Sequence, residues 1–99
     1  MTDVRIYLTE GFSDDRVVIS VDGAKVFEKN SVTTKKLYGL AEELTPVSVA
    51  GQATKITVDL PEKGLSSTFS VDLRSGANVP ITIQDGTLNH AVVKKIGFL

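Results

Sequence analysis

The chain has no cysteine and no tryptophan, and only one histidine and three prolines, in 99 residues. Each scarcity removes something. Without cysteine there can be no disulfide, no thiolate zinc site and no cysteine nucleophile, and the composition fits a reducing compartment. Without tryptophan, the aromatic platform usual in sugar binding must be built from two tyrosines and four phenylalanines. A lone histidine, His90, leaves a single ordinary base for nucleophilic serine chemistry, which also needs an oriented third group. The Gly-x-Ser-x-Gly elbow, the phosphate-cradling glycine loop and the dinucleotide fingerprint are all missing.

Charge of one sign is missing as well. Eleven basic residues face twelve acidic ones, for a net charge of −1. Phosphate backbones are held by clustered Lys and Arg, whereas the basic residues here are scattered apart from Lys35-Lys36 and Lys94-Lys95. Nucleic acid is therefore not an expected partner. No run approaches the ~20 apolar residues of a membrane-spanning helix, so a membrane partner is not expected either. Nor does a basic segment followed by an apolar one open the chain. The expectation is a cytoplasmic protein or the mature domain of an exported one.

What the sequence does have is alternation with period two, the mark of strands that bury one face. Val4, Ile6 and Leu8 alternate with Arg5, Tyr7 and Thr9. The same pattern recurs at Val17-Ile19-Val21, Ile56-Val58-Leu60, Phe69-Val71-Leu73 and Val79-Ile81-Ile83. Glycines at 11, 23, 39, 51, 64, 76, 86 and 97 punctuate it at strand-plus-turn intervals. Asp22-Gly23 and Asp85-Gly86 each predict a two-residue type I′ hairpin, because both central positions need positive φ. Pro61 and Gly64 mark a third hairpin, and Pro80 points to an edge strand or a strand start.

The stretch from Thr34 to Leu44 is ambiguous. Leu37, Leu40, Ala41 and Leu44 have helical spacing, and Thr34 could cap a helix. Gly39 and the short length oppose one. The reading is at most one short helical turn, or an irregular crossover between sheets, then a strand near Pro46–Ala50. A bulge near Asn89 is expected to reconcile the parities of Leu88 and Val93.

These observations predict one all-β domain over residues 1–99. It is a two-sheet antiparallel β-sandwich, immunoglobulin-like or Greek-key, with seven or eight strands. The expected core is Val4, Ile6, Leu8, Val17, Ile19, Val21, Ile56, Val58, Leu60, Phe69, Val71, Leu73, Ile81 and Ile83. Candidate contact residues are Tyr7 and Val18, at outward parity, and Tyr38, which could stack on a sugar. Phe12, in the loop Glu10-Gly11-Phe12-Ser13-Asp14, either plugs one end of the sandwich or projects as a binding anchor. Asp14-Asp15 is the candidate cation site, since two adjacent acids exceed what a turn needs and hard cations take such oxygens.

The segment Val4 to Thr34, with its strand Val4–Leu8, its Asp14-Asp15 loop, its Asp22-Gly23 hairpin and Val32-Thr33-Thr34, resembles the opening of calcium-dependent carbohydrate-binding modules. That resemblance implies calcium held by loop carboxylates and a sugar completing the coordination. The whole chain looks more like small bacterial proteins with an immunoglobulin-like sandwich. The stretches that carry this are Val17–Phe27, Leu60-Pro61-Glu62-Lys63-Gly64-Leu65 and the Asp85-Gly86 hairpin. The expectation is thus a non-catalytic module that binds a protein partner or a second copy of itself. Carbohydrate binding is the alternative, with no cofactor beyond calcium.

Overall fold

A computed structural model describes residues 2–35, 40–74 and 76–94. Among them the chain is all-β, with nine strands in two packed sheets. They are β1 (Thr2–Leu8), β2 (Asp15–Val21), β3 (Ala24–Val32), β4 (Glu42–Glu43), β5 (Val47–Val49), β6 (Ala53–Leu60), β7 (Leu65–Asp72), β8 (Asn78–Gln84) and β9 (Thr87–His90). One sheet has the order β4-β1-β8-β9, with β5 also paired to β1; the other has the order β3-β2-β6-β7. The chain crosses between the sheets after β1, β3, β5 and β7. The expected sandwich is present, with nine strands where seven or eight were expected. All pairs are antiparallel except β1 with β8, which run parallel.

The hairpins form where the local chemistry demands. Asp22 and Gly23 have φ of 51° and 85°, and Asp85 and Gly86 have 52° and 75°. Val21↔Ala24 and Gln84↔Thr87 therefore close two-residue turns. The third hairpin pairs Leu60 with Leu65 around the turn Pro61–Gly64.

The alternating residues converge on one core. Ile6, Leu8, Ile19, Ile56, Leu60 and Ile81 are its largest fully buried side chains. Phe69, Leu73 and Ile83, expected in the core, are half-buried at its margin. Val32, Leu44, Val49 and Val79 join it from outside the predicted set.

Three expectations are corrected. Pro80 does lie near a strand start, third in β8, but not on an edge strand: β8 lies between β1 and β9. Its ring faces the β9 side of the ladder, where Ala91 N–H still donates to the Pro80 carbonyl (3.2 Å). Pro80 has no N–H to return, so one rung is lost and β9 ends at His90. The bulge near Asn89 does not form, because the pairing from Gln84↔Thr87 to Ile81↔His90 continues in the same register to the bridge Asn78↔Val93. Thr34 caps no helix among the described residues. Its hydroxyl donates to Thr9 O (2.6 Å) and accepts the Phe12 N–H (3.1 Å). Beyond it, Ala41 and Leu44 donate to Leu8 and Ile6 of β1, so this end of the segment is strand. Leu37 and Gly39 lie outside the described residues.

Candidate functional site: an open sheet edge

A sandwich has four lateral edges, and each exposes backbone donors and acceptors unless something guards it. On the five-stranded sheet the edges are short: β4 and β5 on one side and β9 on the other. On the four-stranded sheet they are long, β3 on one side and β7 on the other.

β3 is guarded. It carries Lys25, Glu28 and Lys29, and its pairing with β2 shifts register twice. Ser31 has φ of 58°, which bends the strand out of extended geometry. Arg16 and Lys25 both pair with Glu28, and Lys29 reaches across to Glu42 on β4 (2.8 Å). The hydrogen bond from Lys25, then that from Arg16, and after them the two charges hold the Glu28 carboxyl below its ordinary range.

β7 has none of these devices. From Leu65 to Val71 it reads Leu-Ser-Ser-Thr-Phe-Ser-Val, with no charge and no proline. Its register with β6 is unbroken from Ala53↔Asp72 to Leu60↔Leu65. The Leu73 N–H donates to Gln52 O (2.8 Å). Since antiparallel ladders alternate, Leu65, Ser67, Phe69 and Val71 exchange bonds with β6. The backbone groups of Ser66, Thr68, Ser70 and Asp72 then point away from the sheet. Among the described residues no strand pairs with that side.

Side chains follow the same alternation. Ser66, Thr68 and Ser70 are exposed on the outer face, while Val71 is buried and Leu65 and Phe69 are half-buried on the inner one. Thr68 Oγ1 shares a hydrogen bond with Thr57 Oγ1 (3.1 Å), and Ser66 Oγ donates to Asp59 Oδ1. On the inner face Phe69 stacks on His90 of β9, with ring centroids 3.6 Å apart and planes 5° from parallel. At the C-terminal end of β7, a recess of about 500 Å³ is lined by Gln52, Ala53, Ser70, Val71, Asp72 and Arg74. Arg74 grips Asp72 through Nε and Nη2. These bonds, with that from the Arg74 N–H, draw the Asp72 carboxyl below its ordinary range.

The residues singled out in the sequence lie elsewhere. Tyr7 occupies outward parity on β1, but it is only 5% exposed, set between Glu43 of β4 and Pro80 of β8. Its hydroxyl donates to Asn78 Oδ1 at 3.4 Å. Val18 is on the other sheet, between Glu28 and Asp59, so it and Tyr7 share no face. Phe12 is the plug and not a projecting anchor, at 3% exposure within the core. Tyr38 lies outside the described residues. Asp15 is 4% exposed, and its carboxylate accepts the Ser13 N–H and pairs with Lys63 at 2.8 Å. Asp14 is exposed with φ of 52°, and its own N–H donates to Thr33 Oγ1. The two adjacent acids thus do different work, one as a buried end-cap to Lys63 and one as a turn residue. Among the described residues no group of three or more His, Cys, Asp or Glu is placed to hold a metal ion.

No family model, no curated protein and no solved structure matches the chain. The edge was missed in sequence because strand order is not local. Its signal was nonetheless present: the Leu65–Val71 stretch is uncharged in a chain where 23% of residues carry charge.

Proposed function

We propose that this protein is a non-catalytic interaction module, and that it binds an extended segment of polypeptide along the outer edge of β7. The observation that carries this reading is the contrast between a regular, unpaired strand, uncharged from Leu65 to Val71, and an opposite edge that has charge, bulges and a bend. Strand addition draws affinity from backbone hydrogen bonds and specificity from alternate side chains. β7 offers both: outward backbone groups at Ser66, Thr68 and Ser70, and a recess beside Asp72 and Arg74. An immunoglobulin-like affiliation belongs to the same proposal, supported by two sheets that the chain crosses between repeatedly.

The test is selection of a displayed peptide library on the immobilised protein, counter-screened with Thr68→Pro. The Thr68 N–H faces away from β6, so proline removes an outward donor and leaves the hairpin ladder intact. Extended peptides rich in β-branched residues should be recovered on the wild type and lost on Thr68→Pro. Equal recovery on both would overturn the reading.

A second reading, carbohydrate binding, is favoured by one observation. Around the β8–β9 pair of the other sheet, Pro80, Thr82, Gln84, Asn89, His90 and Ala91 line a shallow depression of about 220 Å³. Its hydroxyls and amides suit sugar hydroxyls, and the Ala91 carbonyl finds no N–H on Pro80. A polysaccharide panel read by melting temperature, with and without calcium, tests it. A shift abolished by Asn89→Ala supports it, and no shift on any member removes it.

A further inference from the structure

The edge reading leaves the partner open, and the chemistry of β7 narrows it. Taken about Thr68, the strand is close to a palindrome. From Leu65 to Val71, Ser66 mirrors Ser70 and Leu65 mirrors Val71. The mismatched pair, Ser67 and Phe69, sets a small side chain opposite a large one. Resting on the edge reading above, we propose that the occupant is a second copy of this chain. Its β7 pairs antiparallel with the first about a twofold axis through Thr68, joining two four-stranded sheets into one.

Four features carry this. A twofold contact uses the same patch on both copies, so the patch must be self-complementary, and this strand is. The register keeps the hydrogen-bonding phase: Thr68 faces Thr68, and Ser66 faces Ser70, all through backbone groups that point outward from β6. No like charges meet along Leu65–Val71, because that stretch has none. Beyond its ends the strand register no longer applies, but the turn that carries Glu62 in one copy lies at the end of the strand pair that carries Arg74 in the other. The Pro61–Gly64 turn of the second copy then runs alongside the recess by Asp72 and Arg74. β3 could not do the same, since its two register shifts break the ladder a partner would need.

Sedimentation equilibrium from roughly 1 µM to 1 mM should show the mass rising toward the dimer, in a range where weak small interfaces associate. A chain without cysteine allows a direct check of register. Thr68→Cys should form a disulfide-linked dimer on mild oxidation, because directly opposed residues lie ~5.5 Å apart between Cα atoms, within disulfide reach. Ser66→Cys should not, as the two copies of that residue would be about four residues apart along the strand, ~14 Å.

Charge reversal gives a second arm. Thr68→Lys and Thr68→Glu, both on the exposed outer face, should each weaken self-association by about tenfold through like charges across the axis. An equimolar mixture of the two should recover it as a heterodimer. Circular dichroism verifies that each variant is folded. A wild type that stays monomeric throughout, or crosslinking as fast at Ser66→Cys as at Thr68→Cys, overturns the self-pairing. The edge reading itself stands or falls separately: peptides captured by monomeric wild type and lost on Thr68→Pro preserve it.

Discussion

The two long edges of the four-stranded sheet face the same solvent and differ in almost everything else. β3 is irregular and charged, and is stitched to the opposite sheet by the Lys29–Glu42 ion pair. β7 is regular, uncharged from Leu65 to Val71, and meets the opposite sheet through the Phe69–His90 stack. Edge protection lowers the hazard of unwanted pairing. A protein that guards three edges, two by shortness and one by charge and bulges, and leaves the fourth flat has an asymmetry that invites use. What the pair of edges teaches is that pairing competence is set by backbone regularity and charge together.

Several substitutions break or sharpen this comparison. The largest effect should come from the core that both edges rest on. Ile19 is fully buried and pairs with Phe27 on β3 and Val58 on β6. Ile19→Ala should cost about 2–5 kcal/mol in urea denaturation, and an unchanged midpoint would refute the face assignment. Phe69→Ala, which removes a half-buried ring and the His90 stack, should cost about 2 kcal/mol, with little dependence on salt.

Its counterpart on the other side is weaker. Lys29→Ala removes an exposed ion pair and should cost about 0.2–1 kcal/mol, and the difference from wild type should shrink in ~1 M salt, where the screening length is about 3 Å. A salt-insensitive loss would mean that Lys29 acts through packing. A sharper probe removes charge from β3 altogether. Lys25→Ser, Glu28→Ser and Lys29→Ser combined should leave that edge non-associating in sedimentation, because the register shifts and Ser31 remain. New association through β3 would mean that charge alone was its guard.

The smallest effect concerns Asp22, in the turn that anchors the β3 hairpin to β6. Its carboxylate accepts the Lys55 N–H (2.9 Å) and the Thr54 hydroxyl (2.9 Å). These bonds, the backbone one first, hold its carboxyl below the ordinary range. A group with a lowered folded-state pKa stabilises the fold above its unfolded value, about 3.9 for Asp, and that contribution is lost as pH falls through the folded value. Melting temperature should therefore decline on acidification below about pH 4. In Asp22→Asn, which keeps the turn geometry, the decline should be shallower. Identical acid limbs in the two proteins would rule the contribution out.

The sequence disclosed the parts of this fold that local chemistry decides. The Asp-Gly pairs fixed two hairpins, since few residues accept positive φ at both centres. Alternation identified Ile6, Ile19, Ile56 and Ile81 as core, since period two admits one buried face. It could not disclose strand order, and the errors follow from that. Tyr7 and Val18 share outward parity, which would make one apolar spot only if their strands were neighbours, and β1 and β2 belong to different sheets. Pro80 reads as an edge residue because a ladder normally needs every N–H; here the missing one costs a single rung toward β9. Val32 and Leu44 lie outside the clearest alternating runs and are buried by crossovers that no local pattern announces. The candidate site depended on the same non-local fact: an uncharged run becomes a binding edge only when nothing lies beside it.

Amide hydrogen exchange across a dilution series tests the account most directly. In the alternation of β7, the Ser66, Thr68 and Ser70 amides face outward and the Ser67, Phe69 and Val71 amides face β6. The inner set should be protected at every protein concentration. The outer set should be protected in concentrated protein and exchange freely on dilution. Outer amides that exchange freely at all concentrations, with inner ones still protected, would contradict self-pairing along this edge.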